Sequence, residues 1–383
     1  MEIRQLKPEE YSLALDTLND VFGKSGNKLV DFTQLLPKIF DGSGACAQRH
    51  YGAFDGERLA SLVGVYLMTV VIGNERFRFA TVGNMVTRPE YEGRGLMSQV
   101  FAYGMEKARQ LGAQAVRLGG ARHRYERFSV TPAGNSCCFT ISSGAVKYHP
   151  PRWDDIAFTP IGAGDGVLLN FARRVYEASP FHVDRGDDEG FYRSLCNYSC
   201  RGYVAYRLST GQKLGYVLAS RDQSQVIECH SLDVEVFWDV LAAWQKQLER
   251  SYFIELPGAE MEKCRLLSYR AEGFAVAPAS SFGIFDYAAL CRSLLQLKAQ
   301  YTTLPAGRLV VDIEGYGSFY LAYDGCQVTA EPAREKAAVR LSQIEATRFL
   351  FGPLAPSMTA PQAPAVANSW LPLPLSWCNQ DRG

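Results

Sequence analysis

The chain has 383 residues, of which 47% are hydrophobic and 21% charged, and its 40 basic and 40 acidic side chains give a formal net charge of zero. That length exceeds one ordinary hydrophobic core, so two or three domains are expected, in the composition of a soluble globular protein. Zero net charge argues against broad electrostatic binding to nucleic acid or an anionic membrane, while leaving room for a local basic patch around one phosphate-bearing ligand.

The first residues, Met1 to Lys7, have no apolar core and no signal-cleavage pattern. The longest apolar stretch, Leu62 to Ile72, is too short and too β-branched for a membrane helix. A cytoplasmic location without a membrane span is therefore expected. Among the ten cysteines, Cys196 and Cys200 have no second pair or His at zinc-ligand spacing, which favours reduced structural thiols over a metal site.

Taken in chain order, the first third alternates helices and strands. Glu9 to Phe22 places Tyr11, Leu13, Leu15, Leu18 and Phe22 near one helical face. Strands are predicted at His50 to Asp55, Arg58 to Ile72 and Phe77 to Val86, separated by the turns Gly56-Glu57 and Gly73-Asn74. A helix from Met97 to Leu111 and a buried strand from Ala115 to Leu118 follow. Pro150-Pro151 then breaks the pattern, since proline continues neither a helix nor a central strand. The middle third predicts a helix at Val167 to Ala178, strands at Gly202 to Leu208, Leu214 to Ser220 and Gln225 to His230, a helix at Val234 to Leu248 and a strand at Tyr252 to Leu256. Its element order is like that of the first third, which suggests a duplicated domain. The last third predicts a helix at Tyr287 to Leu297, hairpin strands at Gly307 to Ile313, Gly317 to Tyr323 and Gln327 to Glu331, and a helix at Ser342 to Phe351. The class is α+β.

One loop carries chemistry. In Pro89 to Ser98, Gly93 and Gly95 allow the backbone to approach a ligand closely, and the helix opening at Leu96 offers uncapped N–H groups and a positive dipole end. Such a turn suits a pyrophosphate, with Arg94 adding a cation. A strand–helix turn needing glycine only for its geometry is the bland alternative. The loop lacks the Gly-Lys-Ser/Thr ending of a P-loop and the third glycine of a dinucleotide fold.

Glu92-Gly-Arg-Gly-Leu-Met97 resembles the pyrophosphate loop of the GNAT N-acetyltransferases, whose usual pattern is Gln/Arg-x-x-Gly-x-Gly/Ala. Gly95 matches; Glu92 and Met97 depart from it. The strand Thr81 to Pro89 resembles the family strand that pairs with the pantetheine arm. Gly119-Gly120 and Arg124-Tyr-Glu-Arg-Phe128 are similar to the Tyr-x-Arg-Phe segment of the enhanced-intracellular-survival (Eis) branch, where Gly-Tyr follows in place of Ser129-Val130. That resemblance implies tandem GNAT-like domains with mixed sheets at 1–148 and 149–285. It also implies a sterol-carrier-protein-like α/β domain at 286–383, a homo-oligomer (trimer or hexamer), and acetyl-CoA as co-substrate with no metal. It implies cofactor contacts from Met85, Val86, Thr87, Gly93, Arg94, Gly95, Leu96, Met97, Ser98, Gly120 and Ala121.

Acetyl transfer to an amine needs a neutral nucleophile, donors for the developing oxyanion, fixed orientation, and a proton for the leaving thiolate. The resemblance gives the proton-donor role to Tyr125, whose phenol (pKa about 10) can protonate a thiolate of pKa about 8.5 at modest cost. An ordinary packed aromatic is the alternative, since the chain has 20 tyrosines. The oxyanion donor by analogy is the N–H of Met85 or Val86. The base in the Eis branch is the terminal carboxylate, here Gly383. The apolar run Trp370 to Trp377 independently suggests a tail inserted in a groove, with Asp381 as a rival base. His123 is a weaker candidate base, Arg122 and Arg124 are phosphate-facing or simply solvated, and Asp187-Asp188-Glu189 is a cation-attracting or merely exposed loop. The acceptor is expected to be an aminoglycoside-like amine, a polyamine or a lysine. The competing class is a non-catalytic acyl-CoA or lipid-binding protein.

Overall fold

A computed structural model describes residues 1–26, 31–120 and 122–382, for 24–26 the backbone alone. Among these residues no helix is long and apolar enough to cross a membrane. The helices and strands expected from periodicity form at or within a few residues of their predicted bounds, as at His50–Asp55, Arg58–Ile72, Ala115–Leu118 and Val234–Leu248.

The strands of the described residues assemble into three sheets. The first contains, in spatial order, Glu2–Gln5, His50–Asp55, Arg58–Ile72, Glu75–Thr87, Ala115–Leu118, Ser280–Ile284 and Thr131–Ala133, and Phe181–Val183 pairs with the end of Arg58–Ile72. The second contains Gly273–Ala277, Ser136–Ile141, Tyr252–Pro257, Gln225–Ser231, Lys213–Ala219, Arg201–Arg207 and Ile156–Pro160. The third is Val328–Pro332, Gly317–Tyr323, Gly307–Ile313 and Val339–Leu341. Three strands cross the boundaries expected from sequence. Ser136–Ile141, from the 1–148 segment, pairs in the second sheet, and Phe181–Val183 and Ser280–Ile284, both from the 149–285 segment, pair in the first.

Each of the first two sheets contains one parallel pair that separates after a few residues. Glu75–Thr87 runs beside Ala115–Leu118 from Phe79↔Ala115 to Val82↔Leu118. Gln225–Ser231 meets Tyr252–Pro257 only at Gln225↔Phe253 and Val226↔Ile254. Strands that diverge in this way leave an opening that something else must fill.

The helix Leu96–Gln110 covers one face of the first sheet, burying Val100, Phe101 and Ala108 against Val63, Val65 and Val116. The opposite face shares a continuous core with the third sheet and the C-terminal segment, in which Phe79, Leu309, Phe319, Leu350, Trp370, Leu373 and Trp377 all participate. The apolar tail is thus internal, and Trp370 is fully buried with its Nε1–H donating to the Pro305 carbonyl at 3.1 Å. Leu373 N–H donates to Leu350 O at 2.8 Å, and Asn135 N–H donates to Leu375 O at 2.7 Å. The tail therefore runs as an ordered strap beside the turn at Gly134-Asn135.

Sequence periodicity missed the helix Asp188–Cys196. Asp187 caps it, its carboxylate accepting from Gly190 N–H at 2.9 Å, and Asp188 and Glu189 lie in its first turn. This acidic run, read from sequence as an exposed loop or an amine attractor, is a helix start whose charges complement the dipole.

Gly134 has φ 77°, and a Cβ there would sit 2.8 Å from the Leu375 carbonyl oxygen. Gly134→Ala is expected to destabilise the protein by about 1–3 kcal/mol, seen as a lower thermal midpoint, and an unchanged midpoint would contradict this contact.

Candidate active site

The opening in the first sheet begins where the parallel pairing ends at Val82↔Leu118. Immediately beyond, Asn84 takes a left-handed conformation (φ 53°), and the pairing with Arg58–Ile72 slips between Leu62 and Gly64. A bulge here bends the strand away from its neighbour. Asparagine tolerates this conformation better than most residues, and a buried relay holds it there. Asn84 Nδ2 donates to Tyr66 Oη at 2.6 Å, Tyr66 Oη lies 2.9 Å from His50 Nε2, and His50 Nδ1 lies 3.0 Å from Cys46 O. With the proton on Nδ1, each group donates to the next. Burial pushes His50 down to about 4, which keeps the ring neutral and the relay in one direction.

The glycine loop leads into the helix Leu96–Gln110. Gly93 and Gly95 have φ of 75° and 72°, and an added Cβ would meet nothing within 4 Å at Gly93 and only the Gln99 amide, 3.9 Å away, at Gly95. Backbone conformation, not lack of room, therefore requires glycine at both positions. Gly95 is the N-cap and supplies no side-chain cap, so the helix presents its opening N–H groups to the cleft. A cavity of about 570 Å³ lies over this loop, lined by Met85, Val86, Thr87, Gly93, Gly95, Leu96, Met97 and Ser98, together with Val21, Phe22, Tyr91, Glu92 and Arg124. Arg94 turns elsewhere: it donates to Glu90 O at 3.1 Å and lies 5.0 Å from the Tyr91 ring centroid. Gly120 (φ 118°) backs onto Tyr125, whose ring would be 3.3 Å from a Cβ there. Ala121 and Gly383 lie outside the described residues.

Tyr125 closes a short helix, Arg122–Tyr125, and is buried against Phe101 at a centroid distance of 5.4 Å. Its Oη is 3.7 Å from Met85 Sδ. Burial raises its pKa, with Arg124 opposing. Tyr125 lines a second cavity, of about 520 Å³, with Asn84, Arg117, Tyr198 and Arg382 and the apolar Phe22, Phe32, Leu35 and Leu36. Met85 and Phe22 line both cavities, so Tyr125 stands beside their shared wall. His123 is exposed and lines neither. Arg122 pairs with Glu126, which also receives Arg348, so these groups brace the segment after Tyr125.

The tail reaches this second cavity. Arg382 lines it, lies 4.6 Å from the Tyr198 ring centroid, and donates through Nε to Asn379 O at 2.8 Å. Asp381, considered from sequence as a base, is instead a fully buried anchor. It accepts from Arg185 Nε at 3.1 Å and Nη2 at 2.8 Å and from Lys38 Nζ at 3.0 Å. Burial alone would raise its pKa, but Arg185 and Lys38 outweigh that and hold it at about 2. Arg185 also binds Glu228, whose Oε1 lies 2.8 Å from Cys378 Sγ. The cluster of Glu228, Cys378 and Asp381 is thus gathered around a guanidinium, which supplies its positive charge.

The sequence reading missed Arg117, Asn84, Tyr198 and the Phe32–Leu36 wall. Arg117 had a usable signal, a lone charge in the buried strand Ala115–Leu118. The others are brought in by tertiary packing, with no local motif to mark them.

Residues 2–132 match the family described as Acetyltransferase (GNAT) domain. Fold and match together define the class of this part of the molecule: residues 2–132 form an acetyltransferase (GNAT) domain. Its structure is similar along nearly its whole length to three solved proteins. A conserved protein of unknown function from Enterococcus faecalis has 15% identity and TM-score 0.69, with 98% of this chain and 97% of that one covered. A GCN5-related N-acetyltransferase from Kribbella flavida has 18% identity and TM-score 0.66, with 97% and 95% covered. Eis1 from Mycobacterium abscessus has 15% identity and TM-score 0.66, with 99% and 98% covered. At such identities the likeness is one of fold. No curated protein matches the chain.

Asp381→Asn takes away the carboxylate that Arg185 and Lys38 share, and should destabilise the protein by about 3–5 kcal/mol in denaturant unfolding at neutral pH. Because folding lowers the pKa of Asp381, its stabilising contribution is present above the ordinary Asp value, about 4, and is lost as pH falls toward about 2. The stability gap between wild type and Asp381→Asn should therefore close over that window; a gap independent of pH would contradict the ion pair.

Proposed function

We propose that the protein moves the acetyl group of acetyl-CoA to a primary amine by direct attack through a tetrahedral intermediate. The observation that carries this reading is the position of Tyr125 beside the wall shared by the two cavities, one over a glycine loop and helix N-terminus, the other reached by the tail. The pyrophosphate would sit on Gly93 to Ser98, and the pantetheine arm beside Met85 to Thr87, where the strand has left its parallel neighbour. The acceptor would enter the second cavity.

The amine nitrogen forms a bond to the thioester carbonyl carbon. The carbonyl oxygen gains charge and takes a hydrogen bond from the backbone N–H of Met85 or Val86. As the C–S bond breaks, Tyr125 gives its proton to the thiolate, and the proton lost by the amine passes to a carboxylate. We assign that carboxylate to Gly383, one residue beyond Arg382. Lining of the cavity by Arg382 supports this, as does the removal of the rival Asp381 into an ion cluster. The raised pKa of Tyr125 keeps the phenol protonated through neutral and mildly alkaline pH.

The domain reading belongs to the same proposal: a GNAT domain at 1–148, a second GNAT-like domain at 149–285 and a sterol-carrier-protein-like domain at 286–383, with the first lending one strand to the second sheet and the second lending two to the first. The splayed parallel pair in each of the first two sheets supports the tandem part. A trimer or hexamer completes it, to be checked by light scattering on the eluting protein.

Tyr125→Phe should lower turnover about 10²-fold or more while the KM for acetyl-CoA changes little, measured as thiol release with an amine in excess. Equal rates for the two proteins would remove Tyr125 from the mechanism. Residues appended after Gly383 should likewise depress turnover, and an undiminished rate would reject the terminal base. Wild-type activity should show no alkaline loss from Tyr125 below pH of about 10, because burial shifts its titration upward.

A further inference from the structure

The second cavity has a chemical character that narrows the acceptor. Its apolar side is made by Phe22, Phe32, Leu35 and Leu36. Its charged groups are Arg117 and Arg382, and no Asp or Glu is among the described residues that line it. Arg117 is a built feature and not a surface cation. It lies on the central strand Ala115–Leu118, is 4% exposed, donates through Nε to Ser280 Oγ at 2.8 Å, and stands 5.5 Å from the Trp377 ring centroid. Ser280 Oγ in turn donates to Leu118 O at 3.0 Å, so the guanidinium is held by a satisfied hydroxyl. Burial, with Arg382 adding to it, pushes Arg117 down to about 10, still charged at neutral pH.

The nearest acidic group on the tail, Asp381, is already engaged by Arg185 and Lys38. The carboxylate assigned above to Gly383 would balance one of the two cavity cations. One positive charge is then left facing an apolar chamber, where an unpaired cation is costly. A polycationic acceptor would add to that charge; an anionic group would offset it.

We infer that the acceptor is an apolar primary amine that also carries a carboxylate, its hydrocarbon or aromatic part against Phe22, Phe32, Leu35 and Leu36 and its carboxylate on Arg117 and Arg382. This rests on the acetyl-transfer reading for its chemistry but not for its binding. It departs from the aminoglycoside-like, polyamine or lysine acceptors expected from sequence. Arg117 and Arg382 act here as specificity-determining residues.

The test uses matched pairs: tryptophan against tryptamine, phenylalanine against phenethylamine, and 6-aminohexanoate against hexylamine, with spermidine and kanamycin as polycations. Each is measured twice on the full chain, as binding by calorimetry in the presence of CoA and as CoA release from acetyl-CoA. The carboxylated member of at least one pair should bind, and react, about tenfold or more better than its partner, the worth of one charge-assisted hydrogen bond, with the polycations weakest. Arg382→Ala, at a half-buried and structurally mild position, should shrink that preference to about threefold or less, and Arg117→Gln should do the same if it folds. Binding of carboxylated amines without CoA release would support the acceptor class and reject the transfer reading. CoA release that favours polycations or the decarboxylated partners would keep the transfer reading and overturn this inference, as would failure of any carboxylated amine to bind.

Discussion

A single buried guanidinium organises the molecule. Arg185, 5% exposed, binds Glu228 from the second sheet and Asp381 from the tail, and Asp381 also holds Lys38 from the segment that walls the second cavity. Two carboxylates and two cations cancel in charge, so the cluster can exist out of water. Its worth lies less in net stability than in position, because each charge is tolerable only with its partners in place. Through this cluster the sheet, the tail and the Phe32–Leu36 wall share one reference point. Gln380 adds neutral support, its amide donating to the carbonyls of Ser194, Leu195 and Asn197 at 2.6, 3.2 and 3.0 Å.

The two splayed parallel pairs have opposite fates. In the first sheet, the separation past Val82↔Leu118 leads to cavities large enough for a ligand. In the second, the separation past Val226↔Ile254 is taken up by the tail. Asn379 donates to Glu255 at 2.6 Å and Cys378 lies against Glu228, so both diverging strands have tail partners. One opening is sealed by the chain itself, and the sealing segment continues to Arg382 at the other. The strap that fills one sheet thus furnishes part of the wall at the other.

The first opening is kept by polar groups behind it. The relay from Asn84 through Tyr66 and His50 to Cys46 O fixes a left-handed residue where the strand must bend, and burial holds His50 neutral so that the relay keeps its direction. Apolar packing alone specifies such a bend poorly, because it has no preferred direction.

Much of this was legible locally. A long run rich in Val and Leu marked Arg58–Ile72, the Asp324-Gly325 turn marked the hairpin of the third sheet, and a long apolar run free of Gly and Pro marked Val234–Leu248. Strands that carry no such signal, such as Ser280–Ile284 and Ser136–Ile141, escaped, and both insert into sheets away from their sequence neighbours. At the site, Gly93 and Gly95 announced themselves because a positive φ restricts residue type. Asp381, by contrast, looked like a free carboxylate in a polar tail end.

The sequence by itself determined the periodic elements, the glycine loop with its helix start, and the apolar tail that had to be buried somewhere. These follow from short-range sterics and from the cost of wetting Trp and Leu, which act on a few residues at a time. Only the tertiary structure decided where the tail goes, that Asp381 is an anchor, and that Arg117 and Arg382 face a cavity with no Asp or Glu among its described lining residues. Charge pairing is set by distances between residues far apart in the chain, Arg185 and Asp381 among them, and no local pattern encodes those distances.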